Sequence, residues 1–388
     1  MLAETLESAA ATEARYTLPV YDHLAIEPVA GDGPWLLLAD GRRVLDFYGG
    51  HAVALLGYGH QGLTAAIAGQ ASELVFQSNV VPLAVRARAA ERLARFGPVG
   101  LERVFFVSSG AEANENALRL AFRKTGRERV VALEGAFHGR TAGAAAVTWG
   151  AGKWYGFPRP PFDVTFVPRG DLAALEAALV GAAALILEPV QGVGGAVDLG
   201  ADYLRAARAL TTTAGAALIF DEVQCGMGRS GSPFVAQAVG VTPDLLTTAK
   251  GLAGGLPAGA VLTSEAFAAG LRIGDLGTTF GGGPVVCAAI AAVIDALEAP
   301  GFLARVERLS GELRTRCLVG PVTAVQGRGL LLGLRTTRPA KTIVSELLAR
   351  GIVTGGSADP HVVRLLPPLN LPDEAVDLLV QALSEITP

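Results

Sequence analysis

Residues 216–224 read AALIFDEVQ, and residues 245–255 read LLTTAKGLAGG. Each is a short apolar run that stops at a residue able to do chemistry, Asp221 in the first and Lys250 in the second. Apolar runs without polar alternation belong to strands covered on both faces, and such strands need helical crossovers. Similar runs occur at Arg103–Val107, Val130–Leu133, Val164–Val167 and Ala183–Leu187, with amphipathic helical stretches such as Ala111–Lys124 and Ala201–Ala214 between them. The pattern predicts an α/β fold with a mostly parallel, doubly wound sheet. Ligands in such sheets sit beyond the carboxyl ends of the strands, where Asp221 and Lys250 fall.

The flanks read differently. Residues 1–50 hold GDGPWLLLADGRRVLDF, two short strands around Ala39-Asp40-Gly41 that read as a hairpin. Residues 291–388 carry GRGLLLGLR and HVVRLLPPL, separated by a helix near Ile343–Leu348. The expected division is a large unit over 51–290 and a smaller α+β unit, built from the N-terminal segment 1–50 and the C-terminal 291–388.

Composition narrows the function. The 388 residues are 51% hydrophobic and 18% charged, which suits a well-cored globular chain. A net charge of −4 lacks the basic excess that nucleic-acid binding requires. The longest uncharged stretch, residues 280–294, is shorter than a membrane span, and the acidic first residues fit neither a secretory signal nor a transit peptide. A cytoplasmic protein with no membrane partner is expected. Cys225, Cys287 and Cys317 form no CxxC pair and the five histidines no HExxH, so no metal site is expected.

Only four lysines occur, Lys124, Lys153, Lys250 and Lys341, and arginine cannot act as an amine nucleophile. Lys250 lies at a strand end in a glycine bed, poised toward a ligand; an ordinary exposed lysine is the alternative. Asp221 could hold a pyridinium nitrogen in its protonated form, or merely cap the following turn. Ser109-Gly110-Ala111-Glu112 has the spacing of a capping box, whose free N–H groups at Gly110 and Ala111 could seat a phosphate. Gly226, Gly228 and Gly231 spell GxGxxG, which would suggest a nicotinamide oxidoreductase. Asp221–Gln224 separate these glycines from their strand and Pro233 follows where a helix should run, which is not the context a dinucleotide fingerprint needs.

Taken together, SGAEANE, FHGRT, EPVQG, IFDEVQCGMGRSG, AKGLAGGLPAGA, GTTFGG and VVRLLPPL resemble the class III aminotransferases, from about Tyr21 to Leu371. Within that family the chain is most similar to the acetylornithine (N-acylornithine) aminotransferase group. The resemblance implies the type I, aspartate-aminotransferase-like fold and pyridoxal 5'-phosphate as cofactor. It implies that Lys250 carries the cofactor covalently and shuttles a proton, that Asp221 keeps the pyridine nitrogen protonated, and that Gln224 contacts the 3-oxygen. Gly110 and Ala111 would seat the phosphate, Phe137 would stack on the ring, and Thr279 would reach the phosphate from the neighbouring subunit of a homodimer. Arg140 and Thr278 would contact the substrate, Arg140 through the carboxylate of the donor, and Arg364 would bind the α-carboxylate of 2-oxoglutarate or glutamate.

The implied reaction moves the δ-amino group of N2-acetylornithine, or another N-acylornithine, to 2-oxoglutarate in arginine biosynthesis. N-succinylornithine, ornithine, N-acylated lysine and 4-aminobutyrate are the alternative donors. One departure stands out: where relatives read EPVQGEGG, this chain has Val193, and the absent glutamate is the one expected to mask Arg364. The stretch DLGTTFGGGP differs too, with Leu276 and Gly283 in place of His and Asn.

Overall fold

The computed structural model describes residues 9–388. Its centre is a seven-stranded sheet, whose strands we number along the chain: β1 Arg103–Val107, β2 Arg129–Leu133, β3 Asp163–Val167, β4 Ala184–Leu187, β5 Ala217–Asp221, β6 Leu245–Thr248 and β7 Gly259–Thr263. Their spatial order is β1-β7-β6-β5-β4-β2-β3. Six strands run parallel; β7 alone is reversed, antiparallel to both β6 and β1. The doubly wound expectation holds, and β7 is the strand that the sequence reading did not single out.

The apolar runs divide residue by residue between two cores. Val131, Leu133, Leu185, Leu187, Leu218, Phe220 and Leu246 face one, while Val130, Ala132, Ala184, Ile186, Ala217, Ile219 and Leu245 face the other. Successive strand side chains point to opposite faces, so a run apolar at every position is what a sheet covered on both sides demands. The Gly110–Thr125 helix covers one face through Ala113, Ala117, Leu118 and Ala121. The Leu172–Leu179 and Ala201–Ala214 helices cover the other through Leu175, Leu179, Leu204 and Ala207.

The two flanks meet. Trp35–Leu38 and Arg43–Asp46 form the expected hairpin, and Ile352–Val353 from the C-terminal region pairs parallel to its second strand. Val322–Arg328, Leu331–Thr336 and Val362–Leu365 make a separate antiparallel sheet, and the helix near Ile343 runs from Ala340 to Ala349. The Pro284–Leu297 helix passes through the division drawn at residue 290. No single helix among the described residues is long and apolar enough to cross a membrane. Residues 1–8, part of the stretch on which the leader expectation rests, lie outside the described residues.

Candidate active site

Because β1, β2, β4, β5 and β6 run the same way, their carboxyl ends share one edge of the sheet. The reversed β7 begins at that edge, and Gly259 at its start has no room for a side chain: a Cβ would lie 2.3 Å from the Ser109 carbonyl oxygen. Beyond this edge is a cavity of about 410 Å³, lined by Gly110, Ala111, Phe137, Arg140, Asp221, Gln224 and Lys250 among others. The structure thus gathers seven of the sequence-derived site residues around one space, and Val193 lines it too.

Asp221 ends β5 and is 3% exposed. Its Oδ2 accepts from Asn114 Nδ2 and from His138 Nδ1, both at 2.7 Å, and its Oδ1 accepts the Val223 N–H at 3.0 Å. An ionised carboxylate can only accept, so the His138 ring proton is on Nδ1. Asn114 is itself fixed, donating to the His138 carbonyl at 2.7 Å and accepting from Thr247 Oγ1 on β6 at 2.7 Å. The turn-cap reading of Asp221 is therefore only part of its role: one of three donors is local, and two come from the helix and loop across the sheet edge.

Lys250 follows β6 with φ +46°, a left-handed conformation that a non-glycine residue adopts only when the surroundings dictate it. Burial holds its ammonium below the usual lysine range, opposed by the negative charges of Asp221 and Glu188. Glu188 follows β4 and accepts the N–H groups of Phe137 at 2.8 Å and Gly192 at 3.1 Å. Burial pushes its carboxyl up to about 7, with His138 opposing and Asp221 adding to the rise.

At the Gly110–Thr125 helix, Ser109 Oγ caps the Glu112 N–H at 3.2 Å. The Glu112 carboxylate returns to the Ser108 N–H at 2.5 Å, one residue earlier than in a standard capping box, while the Ser109 carbonyl accepts the Ala113 N–H at 3.1 Å. The first-turn N–H groups of Gly110 and Ala111 face the cavity end of the helix dipole. A Cβ on Gly110 would meet Val223 Cγ1 at 2.8 Å, so that position needs glycine.

Two arginines differ in setting. Arg140 is exposed at the cavity wall with its guanidinium 5.4 Å from the Trp154 ring centre. Arg364 is 5% exposed; its Nε donates to the Gly356 carbonyl at 2.6 Å, its Nη2 to the Tyr48 hydroxyl at 3.0 Å, and its Nη1 has no hydrogen-bond partner among the described residues. Thr278 and Thr279 are not brought to the cavity of their own chain. They lie on a loop tied to Asn79, whose Nδ2 donates to the Thr278 carbonyl at 3.3 Å and the Gly281 carbonyl at 3.0 Å.

His138, Asn114 and Glu188 stand inside the motifs FHGRT, SGAEANE and EPVQG, yet sequence reasoning gave them no role; their signal was motif membership alone. Tyr48 carried no signal. The GxGxxG glycines are packing positions: a Cβ on Gly226 would meet Glu222 O at 2.7 Å, and on Gly228 Leu297 and Leu303 at 3.0 Å. Among the described residues no three His, Cys, Asp or Glu side chains cluster as metal ligands would.

Residues 17–387 match the family model of aminotransferase class-III. The chain belongs to that family. It is 46% identical over 364 residues to the acetylornithine aminotransferase of Streptomyces coelicolor, covering 92% of this chain and 90% of that one. To the acetylornithine aminotransferase of Mycobacterium tuberculosis it is 43% identical over 381 residues, covering 96% and 95%. Among solved structures, the N-acetylornithine aminotransferase of Stenotrophomonas maltophilia superposes with a TM-score of 0.81 at 30% identity, covering 96% of both chains. The ornithine aminotransferase of Toxoplasma gondii superposes with 0.91 at 27%, covering 98% and 96%.

Class-III aminotransferases are pyridoxal-phosphate enzymes, and this chain is a transaminase of that kind. The cavity fits the cofactor. It joins a lysine amine, a carboxylate and a helix N-terminus suited to phosphate, and Gln224 Oε1 at its edge is buried with no hydrogen-bond partner among the described residues. The nicotinamide reading falls with the family assignment.

Proposed function

We propose that this transaminase takes the δ-amino group of an N-acylornithine, N2-acetylornithine in the first place, and gives it to 2-oxoglutarate. The observation that carries the reading is the meeting of Lys250 and Asp221 at one cavity with Arg140 on its wall and Arg364 near enough for its charge to act on Lys250, neither arginine paired with a carboxylate among the described residues. The relatives named acetylornithine aminotransferase, at 43–46% identity over nearly the whole chain, support the same donor.

When bound, pyridoxal phosphate supplies the carbonyl carbon that takes up the amino group and a ring that withdraws electrons from the reacting carbon. In this reading Lys250 carries it and moves the proton at the donor carbon, for which a depressed amine affinity is suited. Asp221, braced by His138 and Asn114, would hold positive charge at the ring nitrogen, and Gln224 and Phe137 would be the residues to meet the 3-oxygen and the ring. Gly110 and Ala111 seat the phosphate. Arg140 takes the donor's carboxylate, and Arg364 the α-carboxylate of the acceptor, where a planar fork matches the two oxygens.

Thr279, and Thr278 beside it, serve the cavity of a second copy, so the working unit is a homodimer. Turnover measured side by side with N-acetylornithine, N-succinylornithine and free ornithine, each with 2-oxoglutarate, tests the donor. Preference for an N-acylated donor is expected, and preference for free ornithine would overturn it in favour of an ornithine aminotransferase. Borohydride reduction followed by peptide mapping is expected to find the cofactor on Lys250, and an adduct on Lys124, Lys153 or Lys341 would overturn the site.

A further inference from the structure

Residues 49–52, Gly-Gly-His-Ala, run through four consecutive left-handed conformations, with φ of 54°, 54°, 64° and 70°. Glycine adopts these freely; histidine and alanine do not. The turn is held from several sides. Asp46 Oδ1 accepts the N–H groups of Tyr48 at 2.7 Å and Gly49 at 2.8 Å, and Asp46 Oδ2 accepts the Tyr58 hydroxyl at 2.6 Å. Gly49 lies so near the Leu366 carbonyl that a Cβ would come within 2.6 Å of it. The outcome is that His51 Nδ1 meets the Tyr48 hydroxyl at 2.8 Å.

That hydroxyl has one proton and two neighbours. Arg364 Nη2, 3.0 Å away, can only donate, so the Tyr48 oxygen accepts from it and leaves the phenolic proton available to His51 Nδ1. In that arrangement the His51 ring proton is on Nε2. Burial, reinforced by the positive charges of Arg364 and Lys250, disfavours a second proton on the ring. Tyr48 is fixed in turn by Gly355, where a Cβ would fall 1.9 Å from its ring.

We propose that Tyr48, aligned by His51, is a positioning residue that keeps Arg364 aimed as a permanently open receptor for the acceptor's carboxylate. The inference rests on the reading of Arg364 as that receptor. The Gly356 carbonyl grips Nε and the Tyr48 hydroxyl Nη2, and both are neutral, so Nη1 is left buried with no partner among the described residues. A carboxylate partner would have to be displaced before substrate bound; a phenol and a carbonyl need not be. The absence of a glutamate at Val193 is then compensated by neutral anchors that orient without competing.

The test uses glutarate, the diacid without the keto group, titrated calorimetrically into the holoenzyme. Arg364→Lys is expected to weaken it by at least about tenfold, because a bidentate site does not tolerate the exchange. Tyr48→Phe is expected to weaken it by about 12- to 150-fold, the usual range for one hydrogen bond to a charged group. His51→Asn keeps an acceptor at the place of Nδ1 in a residue that tolerates left-handed backbone, and is expected to stay within about threefold of wild type. His51→Gly relaxes the turn but removes the acceptor, and is expected to resemble Tyr48→Phe. In turnover, the rise in KM for 2-oxoglutarate in Tyr48→Phe should exceed any change in donor KM at least fivefold. Unchanged glutarate binding in Arg364→Lys would overturn the receptor reading. Loss in Arg364→Lys with no loss in Tyr48→Phe would overturn the positioning role alone, as would His51→Gly matching His51→Asn.

Discussion

Asp221 receives three hydrogen bonds and touches the cavity, so its carboxylate is oriented before any ligand arrives. In Asp221→Asn the amide keeps the size of the group but cannot hold positive charge at the ring nitrogen. The expected result is an enzyme that still takes up pyridoxal phosphate, followed by its absorbance, yet transaminates at least ~10²-fold more slowly, the scale of other lost charge-stabilising groups. Near-normal turnover would reduce Asp221 to a turn cap. At this scale the sequence was most legible where chemistry and backbone coincide: Asp221 and Lys250 each end an apolar run, and a parallel sheet can send such ends only to one edge. It was silent where a role depends on a distant partner. Tyr48 and Arg364 are 316 positions apart, and nothing in the local pattern of FYGGHAV reports that its phenol will meet a guanidinium.

Between elements, Glu222 does work that its neighbour obscures. It is fully buried, accepts the Val235 and Ala236 N–H groups at 2.7 and 2.8 Å, and so ties the end of β5 to the start of the Val235–Val239 helix. Burial pushes its carboxyl up to about 7, the two backbone donors and the Cys225 thiol opposing. A carboxyl raised in the folded state stabilises fully below its unfolded value near 4.5, and that contribution is lost as pH climbs through 7. Between pH 5 and 8 Glu222 should remove about 2–3 kcal/mol of stability. Glu222→Gln is expected to be less stable throughout but to show a shallower decline, read from urea midpoints at the two pH values; equal slopes would mean that Glu222 stays ionised. The 188–198 segment offers a second test. Val193 O accepts the Ala358 N–H at 2.8 Å, two residues from the Gly356 carbonyl that anchors Arg364. Val193→Glu should pair with Arg364 and raise the 2-oxoglutarate half-saturation about 5- to 150-fold, the cost of opening a partly buried pair of roughly 1–3 kcal/mol. No change would place position 193 away from that guanidinium. Strands were readable from sequence where an apolar run stood between helical stretches; GAVLT, no shorter than those runs, was passed over in its glycine-rich setting, and its reversed direction is set by pairing with β1 and β6, not by its own residues.

Over the whole molecule, one part of the proposed site is not where its chain needs it. The loop carrying Thr278 and Thr279 is held away from the cavity, fastened by Asn79 and by Arg86, whose Nε donates to the Gly282 carbonyl at 2.8 Å. The two loops so joined form a firm outer ledge with Val80 90% exposed, Phe280 68% exposed and Phe76 packed on Phe280 at 5.5 Å between ring centres. An apolar ledge on a braced base is suited to a second copy of the chain, which would bring Thr279 to its partner's cavity. In a two-fold interface every substitution enters twice. One buried, unpaired carboxylate costs about 3 kcal/mol or more, so Val80→Asp should oppose association by roughly 6 kcal/mol, enough to separate a dimer at micromolar concentration. Its side chain is solvent-facing within its own chain, so the fold should survive, as circular dichroism would register. Sedimentation is expected to give a monomer, and transamination and cofactor retention should fall together with dimer content across a dilution series. A Val80→Asp protein that stays dimeric would move the interface elsewhere, and a fully active monomer would show that one chain completes the site without Thr279 from a partner.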